Sequence, residues 1–381
     1  MLKKRLFTPG PTSVPEDVLL EMAQPIIHHR TDEFIKIAEE VFKDLKYVFQ
    51  TENDVFILAS SGTGAMEASI VNLFSPGDKI IVIVGGKFGE RWFELGKTYG
   101  LNVIPLNIAW GKFFNTEEVE KVLKENPDTK GVLCTLCETS TGTHFDIESI
   151  GKIVSKLPQT VVIVDTISSL GAIPCYTDKW NLDVVVTGSQ KAFMLPPGLA
   201  FISVSQKAWS FIEKSKLPKY YFDLKRYKKV LEKNDFPFTM AVSLVIGLKK
   251  SLNMLKQITL EKIWQEHHVR AEATRNAFKK LGLKLFSESP SDAVTAILLP
   301  EGVDGEKLCK LIRTKYGISI AGGQDKAKGK IIRISHLGWQ DEFDVLTAIS
   351  SVCIGLETMG YKLPVEEGIK EAISILFKQD N

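Results

Sequence analysis

A chain of 381 residues, 44% apolar and 25% charged, is long enough for about two domains and has the balance of a folded protein rather than a disordered or fibrous one. A formal net charge of +2 gives no basis for nucleic acid or an anionic membrane as the main partner. No apolar run approaches the roughly 20 residues of a membrane span; the basic N-terminus has no signal-peptide core, and five scattered cysteines suit reduced thiols, so the expected compartment is the cytoplasm.

The first strong periodicity is "TDEFIKIAEEVFKDLKYVFQ" (31–50), which puts Phe34, Ile37, Val41, Leu45 and Val48 on one helical face. Short runs rich in Val and Ile follow at 54–60, 79–84, 101–106, 130–136, 160–165 and 182–187, with another apolar run at 199–205. Most of these predict strands buried on both faces. Helical patterns lie between several of them. One is "GAMEASIVNLF" (64–74), stopped by Ser-Pro-Gly-Asp; another opens at Asn115 with Glu118 placed for a capping box. Strands alternating with helices predict an α/β fold with a mostly parallel sheet covered on both sides. From about 240 the pattern changes to long helical stretches, short strands at 293–299 and 330–335, and helices around 304–315 and 341–358. The expected division is a large domain over 21–240 and a smaller α+β domain over 241–381.

In open parallel sheets, ligands bind beyond the carboxyl ends of the strands. Four loops fall at such ends: "SSGTGAME", "GGKFGERW", "DTISSLG" and "TGSQKA". Together they offer a phosphate cradle, an aromatic ring, a carboxylate and an amine. The glycine loop suits a helix N-cap and a phosphate cradle alike, and Glu67 at the last position breaks the dinucleotide fingerprint G-x-G-x-x-G. Asp165 closes an apolar strand, where a carboxylate needs a cap to form or a cation to face. Lys191 stands between two apolar strands with Ser189 and Gln190 before it and Pro-Pro-Gly soon after, a rigid setting for a desolvated, nucleophilic amine. Arg333 in "KIIRISHLG" is either a surface ion pair or a bidentate clamp for a carboxylate. "CTLC" (134–137) is expected to point its thiols to opposite faces of a strand, and no second pair supports a metal site. "HHR" (28–30) and "EHHVR" (266–270) read as surface or interface residues, the first also open to a place at the site.

Taken in order, "TPGPTSVPEDV", "SSGTGAMEA", "GGKFGERW", "ETSTG", "VDTISSLGAIP", "TGSQKAFMLPPG" and "IIRISHLG" resemble the class V aminotransferases, nearest to the alanine–glyoxylate and serine–pyruvate branch. The resemblance implies the type I fold of pyridoxal-phosphate enzymes, with a mostly parallel seven-stranded sheet and a smaller C-terminal domain. It implies pyridoxal 5'-phosphate as cofactor, amino acid and 2-oxo acid substrates, and a homodimer with shared active sites. Lys191 would form the imine with the cofactor aldehyde and move the substrate proton, while Asp165 would hold the ring nitrogen protonated. Phe88 and Ile167 would flank the ring, and Thr139 would approach its hydroxyl. Gly62, Thr63 and Gln190 would hold the phosphate, joined by Thr239 from a neighbouring subunit. Arg333, with backbone around Gly10 in an N-terminal segment (1–20), would bind the substrate carboxylate. Some relatives have Tyr near Phe236, whose hydroxyl would touch the phosphate; phenylalanine cannot supply that contact. The reaction implied is a ping-pong transfer from alanine or serine to glyoxylate or pyruvate.

Three rivals remain in view. A cysteine desulfurase shares the scaffold but needs a thiol in a mobile loop; Cys309 and Cys353 read as helical, and "AGGQDKAKGK" has no cysteine. A nucleotide-binding oxidoreductase is disfavoured by the broken fingerprint. Some members of the family carry a soluble-hydrogenase label, but a nickel–iron centre requires cysteine pairs that the chain lacks. A lyase or another amino donor on the same scaffold stays open.

Overall fold

The apolar runs of the first two hundred residues assemble into one sheet in a computed structural model, which describes residues 2–378. Its strands are β1 (Asp54–Leu58), β2 (Lys79–Val84), β3 (Asn102–Asn107), β4 (Gly131–Thr135), β5 (Val161–Asp165), β6 (Val184–Gly188) and β7 (Ala200–Val204). They lie in the order β1-β7-β6-β5-β4-β2-β3. All neighbours are parallel except that β7 runs antiparallel to both β1 and β6. Alternate residues serve opposite faces: Val55 and Ile57 join one core, Phe56 and Leu58 the other. The strands therefore read as continuous apolar runs, as the sequence predicts. The exception is β3, where Asn102, Pro105 and Asn107 are only partly covered or exposed. It is the sheet's edge and has a neighbour on one side only.

Helices α1 (Asp32–Phe49), α2 (Gly62–Leu73), α3 (Lys87–Thr98) and α4 (Thr116–Glu125) follow in the first half. The capping box expected at Asn115 is present, with Asn115 and Glu118 each bonding the other's backbone end of α4. The later elements are α5 (Val242–Ile258), α6 (Leu260–Lys280), α7 (Gly305–Tyr316) and α8 (Glu342–Thr358). They accompany a four-stranded antiparallel sheet of β8 (Lys284–Leu285), β9 (Val294–Leu298), β10 (Ala321–Gly322) and β11 (Ile331–Ser335), in the order β8-β9-β11-β10. That sheet has its own core, including Ile297, Ile332, Ile334 and Val352. The N-terminal strand Arg5–Leu6 pairs with Ile318–Ser319, and Phe7 enters the same core. No helix among the described residues is long and apolar enough to cross a membrane.

Local expectations differ from the structure in two places. Cys134 and Cys137 do not face opposite ways: β4 ends at Thr135, the chain turns, and both thiols enter the same core. In "EHHVR" only His268 is at the surface, bonded to Asp292 at 2.9 Å; His267 and Arg270 are buried because α6 is covered on more than one side. In "HHR", Arg30 pairs with Asp235 at 2.6 Å and His29 is buried.

Phe236 is 1% exposed and packs against Phe34 and Phe42, with ring centroids at 6.0 and 5.5 Å. It is a core residue within the protomer. A Phe236→Tyr hydroxyl would be buried among these rings, at a cost of about 1–3 kcal/mol. Urea denaturation should register that loss, while cofactor affinity stays unchanged; tighter cofactor binding by the tyrosine variant would contradict this placement.

Candidate active site

Strand register brings the predicted loops together. Thr135 pairs with Asp165, and Asp165 with Val186, so the segments leaving β4, β5 and β6 emerge side by side. The antiparallel β7 adds the glycine loop: Ala200 faces Gly188 at the end of β6 and Leu58 at the end of β1. One sheet edge thus holds the start of α2, the 165–168 segment and the 189–191 turn.

Lys191 is 8% exposed, and its Nζ donates to the Pro9 carbonyl oxygen. Gly10 has φ +133°, a conformation that favours glycine, and a Cβ there would displace the Lys191 amine. Thr12 secures the passage by donating its N–H to the Gln190 carbonyl at 3.1 Å and its hydroxyl to the Lys191 carbonyl at 3.0 Å. Burial pulls the Lys191 pKa down to about 8; Arg333 and Arg91 push the same way, while Cys137 and Asp165 oppose. Asp165 is 2% exposed and accepts the Ile167 N–H at 2.8 Å. Burial, helped by Glu138, pushes its pKa up to about 7 against the Ile167 bond, Arg91 and Lys191. An amine in this state attacks carbonyl carbon, and the carboxylate lacks a full cationic partner.

The surroundings are small, polar and rigid. No side chain caps α2, which leaves its first N–H groups for a ligand, and a Cβ on Gly62 would collide with Ile167 Cδ1 at 2.5 Å. Gln190 Oε1 is buried without a partner, an acceptor open to a donor on a ligand; a phosphate would need the same amide's NH2 group instead. Thr63 Oγ1 accepts from Arg91 at 3.1 Å, and the Arg91 guanidinium lies 4.9 Å from the Phe88 ring centre. The Thr139 hydroxyl donates to Ser168 Oγ at 2.6 Å. Arg333 on β11 is buried; its Nε and Nη2 donate to the Gly322 carbonyl at 3.0 and 2.8 Å, and its Nη1 to the Thr139 carbonyl at 2.9 Å. Of the residues singled out in the sequence, only Thr239 stands apart. It is exposed, beside Phe238, whose ring stacks on Tyr221 at 4.9 Å.

Sequence reading passed over Arg91, Glu138 and Ser168. Arg91 has a local signal, since it sits one helical turn beyond Phe88 on α3. Glu138 and Ser168 have none: "ETSTG" enters only through the resemblance, with Thr139 as its named residue, and "DTISSLG" as a loop at a strand end.

The donor set fits pyridoxal phosphate. It offers a desolvated amine, a carboxylate at a strand end, an uncapped helix start beside an unpartnered amide, and apolar side chains at Phe88 and Ile167. A lowered pKa also sets a measurable pH profile. Only the neutral amine reacts with acylating reagents, so Lys191 labelling in cofactor-free protein should rise with pH and level off with a midpoint near 8. Peptide mapping across a pH series tests this. A midpoint near the ordinary lysine value, about 10.4, would contradict the burial described here.

The family described as "Aminotransferase class-V" matches residues 6–344. The serine–glyoxylate aminotransferase of Methylorubrum extorquens is 35% identical over 98% of this chain and 96% of its own. A relative named "Soluble hydrogenase 42 kDa subunit" in Anabaena cylindrica is 44% identical over 94% of this chain and 95% of its own. A solved alanine–glyoxylate aminotransferase from Nostoc sp. superposes with a TM-score of 0.90 at 28% identity, covering 93% of this chain and 96% of that one. Among the described residues, no group of three or more His, Cys, Asp or Glu side chains is arranged to hold a metal ion. With a type I fold and a site built for a desolvated lysine, the chain belongs to the class V aminotransferases, enzymes whose cofactor is pyridoxal phosphate.

Proposed function

We propose that this aminotransferase moves the amino group of a small L-amino acid, alanine or serine, to glyoxylate or pyruvate in two half-reactions. The observation that carries the reading is the gathering of buried Lys191 and Asp165 at one sheet edge, with buried Arg333 reaching toward it from the second sheet. The small donor is favoured because the second guanidinium nearby, Arg91, is engaged with Thr63 and the Phe88 face. A donor with a side-chain carboxylate would need such a cation free.

Pyridoxal phosphate supplies an aldehyde that bonds amines and a ring that accepts the electron pair left when the α-proton departs. Asp165 would pair with the ring nitrogen, whose positive charge would offset the desolvation that raises the carboxyl pKa to about 7 in the free protein. Lys191 Nζ would hold the cofactor at its aldehyde, and it is the group placed to take a proton from the substrate α-carbon; in the free protein burial lowers its pKa to about 8, which favours the neutral, basic amine. Gly62, Thr63 and Gln190 would hold the phosphate, Thr139 would approach the ring hydroxyl, and Phe88 and Ile167 would enclose the ring. Arg333 binds the substrate carboxylate beside the Gly10 backbone. Its hydrogen bonds to Thr139 and Gly322 lock the guanidinium plane before substrate arrives.

Thr239 is exposed, as is Tyr220, whose ring lies 5.9 Å from that of Phe238, and this face would complete the phosphate site of a second copy in a homodimer. Sedimentation equilibrium of the holoenzyme should give twice the chain mass of 42.5 kDa; a single chain mass would remove the shared site from the reading.

The donor is tested by adding amino acids singly to the holoenzyme and following the cofactor's visible absorbance. L-Alanine or L-serine should bleach the band and glyoxylate should restore it, whereas L-aspartate should act far more slowly. A fast response to aspartate alone would reassign the donor, and no response to any amino acid would contradict transamination.

A further inference from the structure

Helix α3 starts at Gly86, which has no side chain with which to cap it. Its first three amides are nevertheless satisfied from another loop. Lys87 N–H donates to Ser140 Oγ at 3.0 Å, and Phe88 and Gly89 N–H donate to Glu138 Oε2 at 3.1 and 3.0 Å. Glu138 Oε1 takes the Ser140 N–H at 3.2 Å and the Ser140 hydroxyl. The side chain is fully buried. Three backbone N–H groups, of Phe88, Gly89 and Ser140, converge on it and favour an acceptor-only carboxylate, against the burial that raises its pKa. Its negative charge at the start of α3 is also favoured by the helix dipole. Space is reserved for it: a Cβ on Gly86 would lie 2.4 Å from the Glu138 carboxyl carbon. The next residue, Thr139, receives Arg333 at its carbonyl and bonds Ser168 through its hydroxyl. Glu138 thus joins the first turn of α3 to the loop that carries the rest of the site.

We propose that Glu138 is a positioning residue for the cofactor: its buried carboxylate replaces the missing cap of α3 and thereby fixes Phe88 against the ring face. This rests on the reading that Phe88 faces the cofactor.

The test is a double-mutant cycle on cofactor affinity, titrating cofactor-free protein with pyridoxal phosphate. The proteins are wild type, Phe88→Leu, Glu138→Gln and the double variant. Glutamine keeps the shape but turns one acceptor into a donor that faces backbone N–H groups. Each single change should weaken binding about tenfold or more. The double variant should bind no more weakly than the poorer single one, because both act through the same ring contact. Glu138→Gln should also reduce the visible circular dichroism of the bound cofactor, which reports ring orientation. Effects that multiply in the double variant would overturn the proposal. Wild-type affinity and dichroism in Glu138→Gln, with Phe88→Leu weakened, would overturn it and leave the placement of Phe88 intact. Wild-type affinity in Phe88→Leu would remove that placement and the proposal with it. If Glu138→Gln does not fold, Ser140→Ala serves in the same cycle: it removes only the hydroxyl shared by Lys87 N–H and Glu138. Coupling to Phe88→Leu supports the proposal, and additivity overturns it.

Discussion

A lysine amine and an aspartate carboxyl share one water-poor sheet edge, and each is held away from its ordinary charge state. Lys191 is drawn toward the neutral amine and Asp165 toward the neutral acid, both chiefly because they are buried. Neither has a complete partner in the protein alone. The amine has a backbone carbonyl, and the carboxyl has one backbone N–H. A ligand bringing an aldehyde carbon and a protonated ring nitrogen satisfies both. The cost of burial therefore falls on the free protein and is relieved on loading, an arrangement common where stability is given up for chemistry.

The rest of the fold maintains that edge. Parallel register from β4 to β6 aligns three loops, and the single antiparallel strand β7 brings the glycine loop of α2 beside them. The second sheet contributes Arg333, tied across to the first by the Thr139 carbonyl and to its own loop by Gly322. The N-terminal segment closes the third side, pairing with Ile318–Ser319 before passing over Lys191. Three chain segments thus converge on one site, and hydrogen bonds between them fix their relative positions, which is how a protein orients reacting groups.

Much of this was legible in the sequence. Short Val- and Ile-rich runs marked the strands because residues buried on both faces leave no polar alternation. The resemblance drew Lys191, Asp165, Gly62, Gln190 and Arg333 together; the first four lie at one sheet edge, and Arg333 reaches toward it from the second sheet through the Thr139 carbonyl. Strand order was not legible, nor was the reversal of β7, because pairing is a long-range choice that leaves no local mark. Glu138 drew no notice in the sequence, since only the fold shows that its partners are the amides of α3 some fifty residues away. His267 read as surface because two adjacent histidines and an arginine look solvated until a helix is packed on more than one side. Thr239 remains exposed in the protomer, and its expected role depends on a second copy.

The account stands on a covalent bond between Lys191 Nζ and the cofactor aldehyde. Borohydride reduction of the holoenzyme, followed by proteolysis and mass spectrometry, reads it directly. The cofactor mass should appear on the peptide containing Gln190, Lys191 and Ala192 and on no other. A label fixed to a different lysine, or no label on a coloured protein, would contradict the assignment on which the mechanism is built.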